Sequence, residues 1–219
     1  MRIFIYLVIP LLLLSFSCTP DTRNSSETTF TTLTEHDYLR DFEPVTESGL
    51  VNVVVEIPAG SHQKWEVNKE SGFLEWEIRA DSLRKINYLP YPANYGMIPR
   101  TWLPIDEGGD DDPLDVILLG EKVNRGSVVP ARIVGVIKML DRGEQDDKLI
   151  AVDTQSHFYG IHTLEELERK FPGIIDILTT WFSSYKGGNL VQIQSVDDEK
   201  EALRILEASI SSYRELFDQ

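Results

Sequence analysis

The sequence predicts an α+β domain that is mainly β, with a small closed barrel of short strands followed by α-helices. Short apolar or alternating runs recur between residues 51 and 152, and Gly-, Ser- and Pro-containing turns separate them. This density of short strands is typical of small barrels. A helical period of apolar residues appears only later in the chain. The predicted strands span residues 51–58, 63–68, 73–78, 114–119, 131–140 and 148–152.

The helices are predicted after residue 160. Thr163 followed by Glu166 is the pattern of a capping box at a helix N-terminus. Apolar residues then recur at helical spacing between residues 174 and 185, and a final amphipathic helix is predicted over residues 198–216. We expect the aromatic residues of 174–185 to pack in the core.

The N-terminus has the pattern of an export signal. Met1 and Arg2 precede an apolar run over residues 3–14, which is shorter than the roughly 18–20 residues that span a bilayer as a helix. Cys18, the only cysteine of the chain, lies where a bacterial lipoprotein carries its lipidated residue. We therefore expect a signal peptide over residues 1–17 and a periplasmic protein or a membrane-anchored lipoprotein. The alternative is ordinary signal cleavage nearby, with Cys18 incidental.

The remaining chain divides into two parts. Residues 18–48 are rich in Ser, Thr, Asp and Glu and are predicted to form a flexible tether. Residues 49–219 suit one globular domain with a core. The formal charge of the whole chain is 21 − 36 = −15, which disfavours a nucleic-acid partner.

An aspartate cluster carries the strongest chemical signal. Residues 110–115 contain four aspartates beside the apolar strand predicted at 114–119. Crowded carboxylates repel one another, and divalent cations neutralise them most simply. Asp110, Asp112 and Asp115 are spaced so that they can converge in a loop that enters a strand. The alternative for this motif alone is a solvated acidic loop.

Three further segments supply matching groups. Asp141, Asp146 and Lys148 lie in a second acidic loop that follows an apolar strand. Tyrosine hydroxyls and cationic side chains can bind phosphate oxygens. Such groups occur at Arg84, at Tyr95 within the 91–96 motif, and at the pair Tyr185 and Lys186. Taken singly, the tyrosines are more simply explained by packing.

These motifs together resemble soluble inorganic pyrophosphatases of family I. The metal signature of that family, Asp-x-Asp-Pro-φ-Asp-φ, is matched by residues 110–116. Other family segments occur in the same order at residues 54–58, 64–66, 69–72, 92–96, 134–139, 146–149 and 185–186. The resemblance implies an OB-like five-stranded closed barrel with flanking α-helices. Ordinary members of the family are cytoplasmic, so the export signal is unusual.

The resemblance also implies roles for individual residues. Asp112 would be the general base beside a water between two metal ions. The residues implied to hold or surround metal ions are Asp110, Asp115, Asp141, Asp146, Glu56 and Glu66. The residues implied to bind substrate are Lys64, Arg84, Tyr95, Lys148, Tyr185 and Lys186.

The expected reaction is the hydrolysis of inorganic pyrophosphate to two phosphates. The expected cofactor is Mg²⁺, several ions per active site, with Mn²⁺ or Zn²⁺ as substitutes. We expect a homo-oligomer, no nucleic-acid partner, and membrane contact only through a lipid anchor at Cys18. Two rival hypotheses remain at this point: a non-catalytic OB-like binding module and a structural calcium-binding lipoprotein.

Overall fold

A computed structural model describes residues 1, 31–105 and 108–217 of the chain. The described residues form mainly short strands, with three helices near the C-terminus. In chain order the elements are β1 (Thr32–Leu33), β2 (Val51–Ile57), β3 (Trp65–Val67), β4 (Leu74–Trp76), β5 (Ile78–Arg79), β6 (Ser82–Leu83), β7 (Asn94–Met97), β8 (Asp115–Leu119), β9 (Val128–Asp141), β10 (Glu144–Gln145), β11 (Lys148–Asp153), α1 (Leu164–Lys170), α2 (Ile174–Ser184), β12 (Val191–Asp198) and α3 (Glu199–Phe217). The predicted α+β, mainly β class is confirmed.

Five strands of the main sheet follow one another in a closed order. The pairing runs β9–β11–β8–β7–β2, and β2 also pairs with β9, so the hydrogen-bonded path returns to its start. The pair β8 and β11 is parallel, and the other pairs along this path are antiparallel. β10 and β12 both add to β9. Because the path is closed, strands that are far apart in the sequence have their ends close together.

The strands of this path are apolar on both faces because two cores cover them. Ile117 and Ile150 belong to a core that includes α1 and α2, whereas Val116 and Leu149 belong to a second core that includes α3. Successive side chains of a strand point to opposite faces. Burial on both faces therefore explains why residues 116–119 and 149–152 are continuous apolar runs instead of alternating ones.

The helices begin and end close to their predicted positions. Thr163 Oγ1 accepts a hydrogen bond from the backbone N–H of Glu166 at 3.1 Å, and the Glu166 side chain accepts from the N–H of His162. These contacts satisfy donors that the first turn of α1 leaves open. No helix of the described residues is long and apolar enough to cross a membrane.

The prediction of a flexible tether over residues 18–48 is wrong for residues 31–48. β1 pairs with β4, and Tyr38 and Leu39 are buried in a third core with Trp65, Leu74 and Trp76. Aromatic and aliphatic burial at these positions outweighs the polar composition of the segment. Residues 18–30, including Cys18, and all of the predicted signal peptide except Met1 lie outside the described residues.

Candidate active site

The candidate site lies where the first residues of two parallel strands meet. Asp115 begins β8 and Lys148 begins β11, and the two are direct partners in the parallel register. Tyr95 of β7 pairs with Ile117 of β8, and Asp141 ends the neighbouring strand β9. The closed strand order therefore gathers side chains from loops that are far apart in sequence.

Every residue predicted to act in catalysis, substrate binding or metal binding lines one of two adjoining cavities. The first has a volume of about 220 Å³ and contains all of them except Glu56 and Glu66. Those two line the second cavity, of about 480 Å³, which shares Lys64, Asp112 and Asp115 with the first. The structure therefore brings together the whole set that the sequence singled out.

Lysines separate the carboxylates of the site. Lys148 is 2% exposed and forms ion pairs with both Asp115 and Asp146. Lys186 forms an ion pair with Asp141. Burial alone would raise the pKa of Asp146, but Lys148 and Lys186 outweigh it and hold that pKa below its ordinary value. The site therefore alternates negative and positive groups within hydrogen-bonding distance.

Two more ion pairs extend this pattern toward the second cavity. Lys64 Nζ lies 3.4 Å from Glu66 Oε2, and Lys69 Nζ lies 2.7 Å from Asp112 Oδ1. Arg84 faces the first cavity but pairs with Glu77, outside the predicted set. This pair engages Nη1 of Arg84, and the other N–H groups of the guanidinium are not used by it.

The carboxylates suit hard divalent cations. Asp110 Oδ1 and Asp141 Oδ1 are buried without a hydrogen-bond partner. Burial and then the charge of Asp115 raise the pKa of Asp110 to about 7, and burial raises the pKa of Glu56 to about 8. Carboxylate oxygens are the ligands that Mg²⁺ prefers, and a bound cation would favour their charged forms.

In the part of the chain that the structure describes, no three His, Cys, Asp or Glu side chains converge closely enough to hold a metal ion. The ammonium groups of Lys148 and Lys186 lie between the predicted ligands instead. A cation bound there would have to displace these ammonium groups from the carboxylates. The carboxylate oxygens are the type of donor that the predicted cations take, and the division of ligands among the cations stays a prediction.

An aromatic wall closes the first cavity. The ring of Tyr185 stacks on Trp181 with centroids 4.6 Å apart, and Tyr91 packs on the same Trp181 at 4.5 Å. Lys64 and Lys148 each place Nζ 5.8 Å from the ring centroid of Tyr95. Burial raises the pKa of Tyr95 well above its ordinary value, so its hydroxyl stays protonated. Such hydroxyls can donate to an anion.

Comparison with known proteins places the chain in a family. A family model described as inorganic pyrophosphatase matches residues 53–214. The inorganic pyrophosphatase of Campylobacter jejuni is 34% identical over 171 residues, which cover 75% of this chain and 92% of that protein.

The chain belongs to the inorganic pyrophosphatase family. This membership confirms the predicted class of enzyme, the inorganic diphosphatases. The inorganic pyrophosphatase of Kluyveromyces lactis is 35% identical over 154 residues, but the match spans only 54% of that protein. The crystal structure of a type I inorganic pyrophosphatase from Toxoplasma gondii superimposes with a TM-score of 0.76 at 27% identity, covering 81% of this chain and 87% of that one.

Several residues that line the two cavities of this pyrophosphatase-family site were not among the predicted site residues, among them Tyr91, Glu144 and Lys69. Tyr91 and Glu144 line the first cavity, and Lys69 lines the second. Tyr91 and Glu144 lie inside segments that the sequence had singled out, so their neighbours were a usable signal. Lys69 is the first residue of the family segment 69–72, so it also had a sequence signal, and the structure adds its contact with Asp112.

Proposed function

We propose that this protein hydrolyses inorganic pyrophosphate to two phosphates with the help of bound divalent cations. The observation that carries the proposal is the first cavity, in which aspartates, lysines and tyrosine hydroxyls converge on one small space. Carboxylates hold cations, and cations and hydroxyls hold phosphate oxygens. Family membership supports the same reaction.

Each predicted residue has a part in this proposal. Asp110, Asp115, Asp141 and Asp146 would hold the cations in the first cavity, and Glu56 and Glu66 would extend the acidic wall in the second. Mg²⁺ is the proposed cofactor, with Mn²⁺ or Zn²⁺ as substitutes. When bound, such ions lower the pKa of water, so that a nucleophile is available near neutral pH.

Side chains of the protein would position the attacking water and stabilise the charge on the phosphate oxygens. Asp112 would accept the proton of the attacking water, whose oxygen forms a bond to one phosphorus while the bridging P–O bond breaks. The proton then leaves with the departing phosphate or with solvent. The groups proposed to bind the phosphate oxygens are Lys64, Arg84, Lys148, Tyr185 and Lys186. Tyr95 would line the side from which water attacks. Stabilising the charge on these oxygens is the main contribution that a protein makes to phosphoryl transfer.

Phosphate release by the purified protein tests this function. We expect release with Mg²⁺, loss of release with a chelator, and a kcat about 10²–10⁴-fold lower in Asp112→Asn. The matched control is Asp176→Asn, which removes an exposed aspartate of α2. Folded protein that releases no phosphate with Mg²⁺, Mn²⁺ or Zn²⁺ would overturn the proposal. Stabilisation by Ca²⁺ without hydrolysis would favour the calcium-binding alternative.

We further propose an envelope location, with a lipid anchor at Cys18. The support is the apolar run over residues 3–14 followed by the only cysteine of the chain. Pyrophosphate would then be hydrolysed in the periplasm or at a membrane surface.

The finer architecture is also a proposal. The closed pairing of β2, β7, β8, β11 and β9 supports an OB-like five-stranded barrel. A homo-oligomer is consistent with exposed apolar side chains such as Leu89 and Ile177. Light scattering on the purified protein would measure the number of subunits.

A further inference from the structure

The loop that carries Asp112 is held from two sides. Lys69 Nζ contacts Asp112 Oδ1 at 2.7 Å and donates to the backbone carbonyl of Asp111 at 2.6 Å. Trp102 Nε1 donates to Asp111 Oδ1 at 2.9 Å, and Lys69 Nζ lies 5.7 Å from the Trp102 ring centroid. Asp111 has φ +61°, in the left-handed region that aspartate adopts more readily than most other non-glycine residues. The backbone of the loop also pairs with Leu103, and the side chains of Lys69 and Trp102 add the contacts to Asp111 and Asp112.

The turn that presents Lys69 is itself held by the segment before the family match. Asn68 Oδ1 accepts from the N–H groups of Glu70 and Ser71, which closes the turn. The carbonyl of Gly72, where the turn ends, accepts from the N–H of Tyr38 at 2.8 Å. A Cβ at Gly72 would lie 2.0 Å from Asp37 Oδ1, and Gly72 has φ +72°, a conformation in which a residue with a side chain is strained.

The same segment also holds the strand connection that presents Trp102. The guanidinium of Arg100 donates to the carbonyl of Arg40 from Nε at 3.0 Å and from Nη2 at 2.8 Å, and its third nitrogen lies 2.6 Å from Glu43 Oε1. The backbone N–H of Arg100 donates to the carbonyl of Leu39 at 3.1 Å. Arg100 is two residues from Trp102, so this contact fixes the base of the Trp102 side chain.

We propose that residues 37–43 form a brace that positions Asp112 through Lys69 and Trp102. Tyr38 and Leu39 are buried and fasten the brace to the third core. From there the brace contacts Gly72, at the end of the turn that carries Lys69, and Arg100, which precedes Trp102. The brace lies before residue 53, where the family match begins. Lys69, Trp102 and Arg100 are positioning residues in this account, which rests on the proposed role of Asp112.

Paired variants of the full chain test the brace. Lys69→Met removes the loop contact, and Arg100→Ala releases the brace from the Trp102 segment. We expect each to lower kcat about 10–100-fold while KM for pyrophosphate changes little, because misplaced catalytic groups slow the chemical step. The matched controls are Lys170→Met and Arg132→Ala, since Lys170 and Arg132 also donate to backbone carbonyls of neighbouring loops. The controls should stay within about twofold of the wild type.

A double variant and a fluorescence measurement complete the design. If both residues act through one loop, Lys69→Met and Arg100→Ala together should cost little more than the larger single effect. Lys69→Arg, which keeps the charge, should restore part of kcat. The emission of Trp102, isolated by comparison with Trp102→Phe, should shift in both single variants without added metal or substrate. Neither control should shift it.

The outcomes separate the brace from the proposed function. The brace would be overturned if the kcat losses of the two single variants multiplied in the double variant, or if the Trp102 emission did not shift. It would also be overturned if the kcat losses were no larger than those of the controls. Each of these results would count even if Asp112→Asn is inactive. A kcat loss that merely follows a lower melting temperature would also overturn it. If the wild type releases no phosphate, the proposed function fails, and the fluorescence comparison still tests the contact between brace and loop.

Discussion

At the residue scale, the lysines of the site can pair either with the neighbouring carboxylates or with a bound anion. Lys148 forms ion pairs with Asp115 and Asp146, and Lys186 forms one with Asp141. The same lysines are those proposed to bind phosphate oxygens. Cations that bind the carboxylates would leave the ammonium groups without anionic partners. We therefore expect cation binding to prepare the site for an anion.

Removing one buried carboxylate should have opposite effects with and without metal. Asp110 has an oxygen with no hydrogen-bond partner and lies close to the charge of Asp115. In Asp110→Asn the metal-free protein loses this repulsion, so at about pH 8, where the wild-type carboxyl is mostly charged, we expect its melting temperature to rise by about 2–4 °C, which corresponds to roughly 1 kcal/mol. Addition of Mg²⁺ should stabilise the variant less than the wild type. Thermal denaturation in chelator and in Mg²⁺ measures both effects.

The control for this experiment is again Asp176→Asn on α2. Asp176 is exposed and lies away from both cavities, so the gain in melting temperature from chelator to Mg²⁺ should equal that of the wild type, even if loss of this charge in the first turn of α2 lowers both values. An Asp110→Asn protein that gains as much from Mg²⁺ as the wild type does would show that Asp110 is not a ligand.

At the scale of elements, the strands with continuous apolar runs were predictable, whereas β7 and β12 were missed. Residues 114–119 and 148–152 are strands because their side chains are buried on both faces. β7 was missed because Pro92 and Gly96 give its segment the composition of a loop. It forms a strand because β2 and β8 pair with it on both sides, and a Cβ at Gly96 would lie 1.8 Å from the carbonyl of Val54.

β12 was missed although residues 191–194 alternate between apolar and polar side chains. It pairs with the far half of β9, and that pairing depends on tertiary structure. The hydrophobic pattern likewise could not predict that β8 and β11 pair in parallel. This register places Lys148 beside Asp115. The resemblance located the site residues, and only the sheet topology shows which of them pair.

The attachment of α3 to β9 predicts a pH effect on stability. Glu201 of α3 accepts from Arg204 of the same helix and from Lys138 of β9 at 3.3 Å. The hydrogen bond from Arg204, and after it the one from Lys138, lowers the pKa of Glu201 to about 2. A lowered carboxylate pKa stabilises the fold above the ordinary value of 4.5, and this contribution is lost as pH falls from there toward 2.

We therefore expect Glu201→Gln to melt about 1–3 °C below the wild type at pH 7, since the pair is partly solvent-screened. The difference should shrink steadily below pH 4.5 and also in high salt. Glu207→Gln, an exposed change on the same helix, is the control. A difference that is constant from pH 7 to pH 3 would mean that packing, and not charge, is responsible.

At the scale of the whole molecule, the folded unit begins earlier than composition suggested. Residues 31–48 have few apolar side chains, which is why the sequence favoured a tether. The buried side chains of Tyr38 and Leu39 nevertheless attach this segment to the domain, and backbone hydrogen bonds to Gly72 and Arg100 add to the attachment. Such backbone contacts leave no trace in a hydrophobic pattern, so no reading of periodicity could have found them.

The location of the protein can be tested apart from its chemistry. If Cys18 is lipidated, the full-length protein expressed in a bacterial host should partition into the detergent phase of a Triton X-114 extract. Cys18→Ser should partition into the aqueous phase, because one acyl-modified cysteine is the only membrane contact proposed. Activity per molecule should be unchanged, because both cavities are formed by residues from 56 onward and the brace begins at Asp37.

Ser17→Ala is the matched control, since it alters the same stretch of the signal but keeps the cysteine. It should remain in the detergent phase. A wild type that enters the aqueous phase while still being exported would point to ordinary signal cleavage, with Cys18 incidental. A wild type that stays in the cytoplasm with its N-terminus uncleaved would contradict the envelope proposal and leave the hydrolysis of pyrophosphate untouched, because that proposal depends only on the residues around the two cavities.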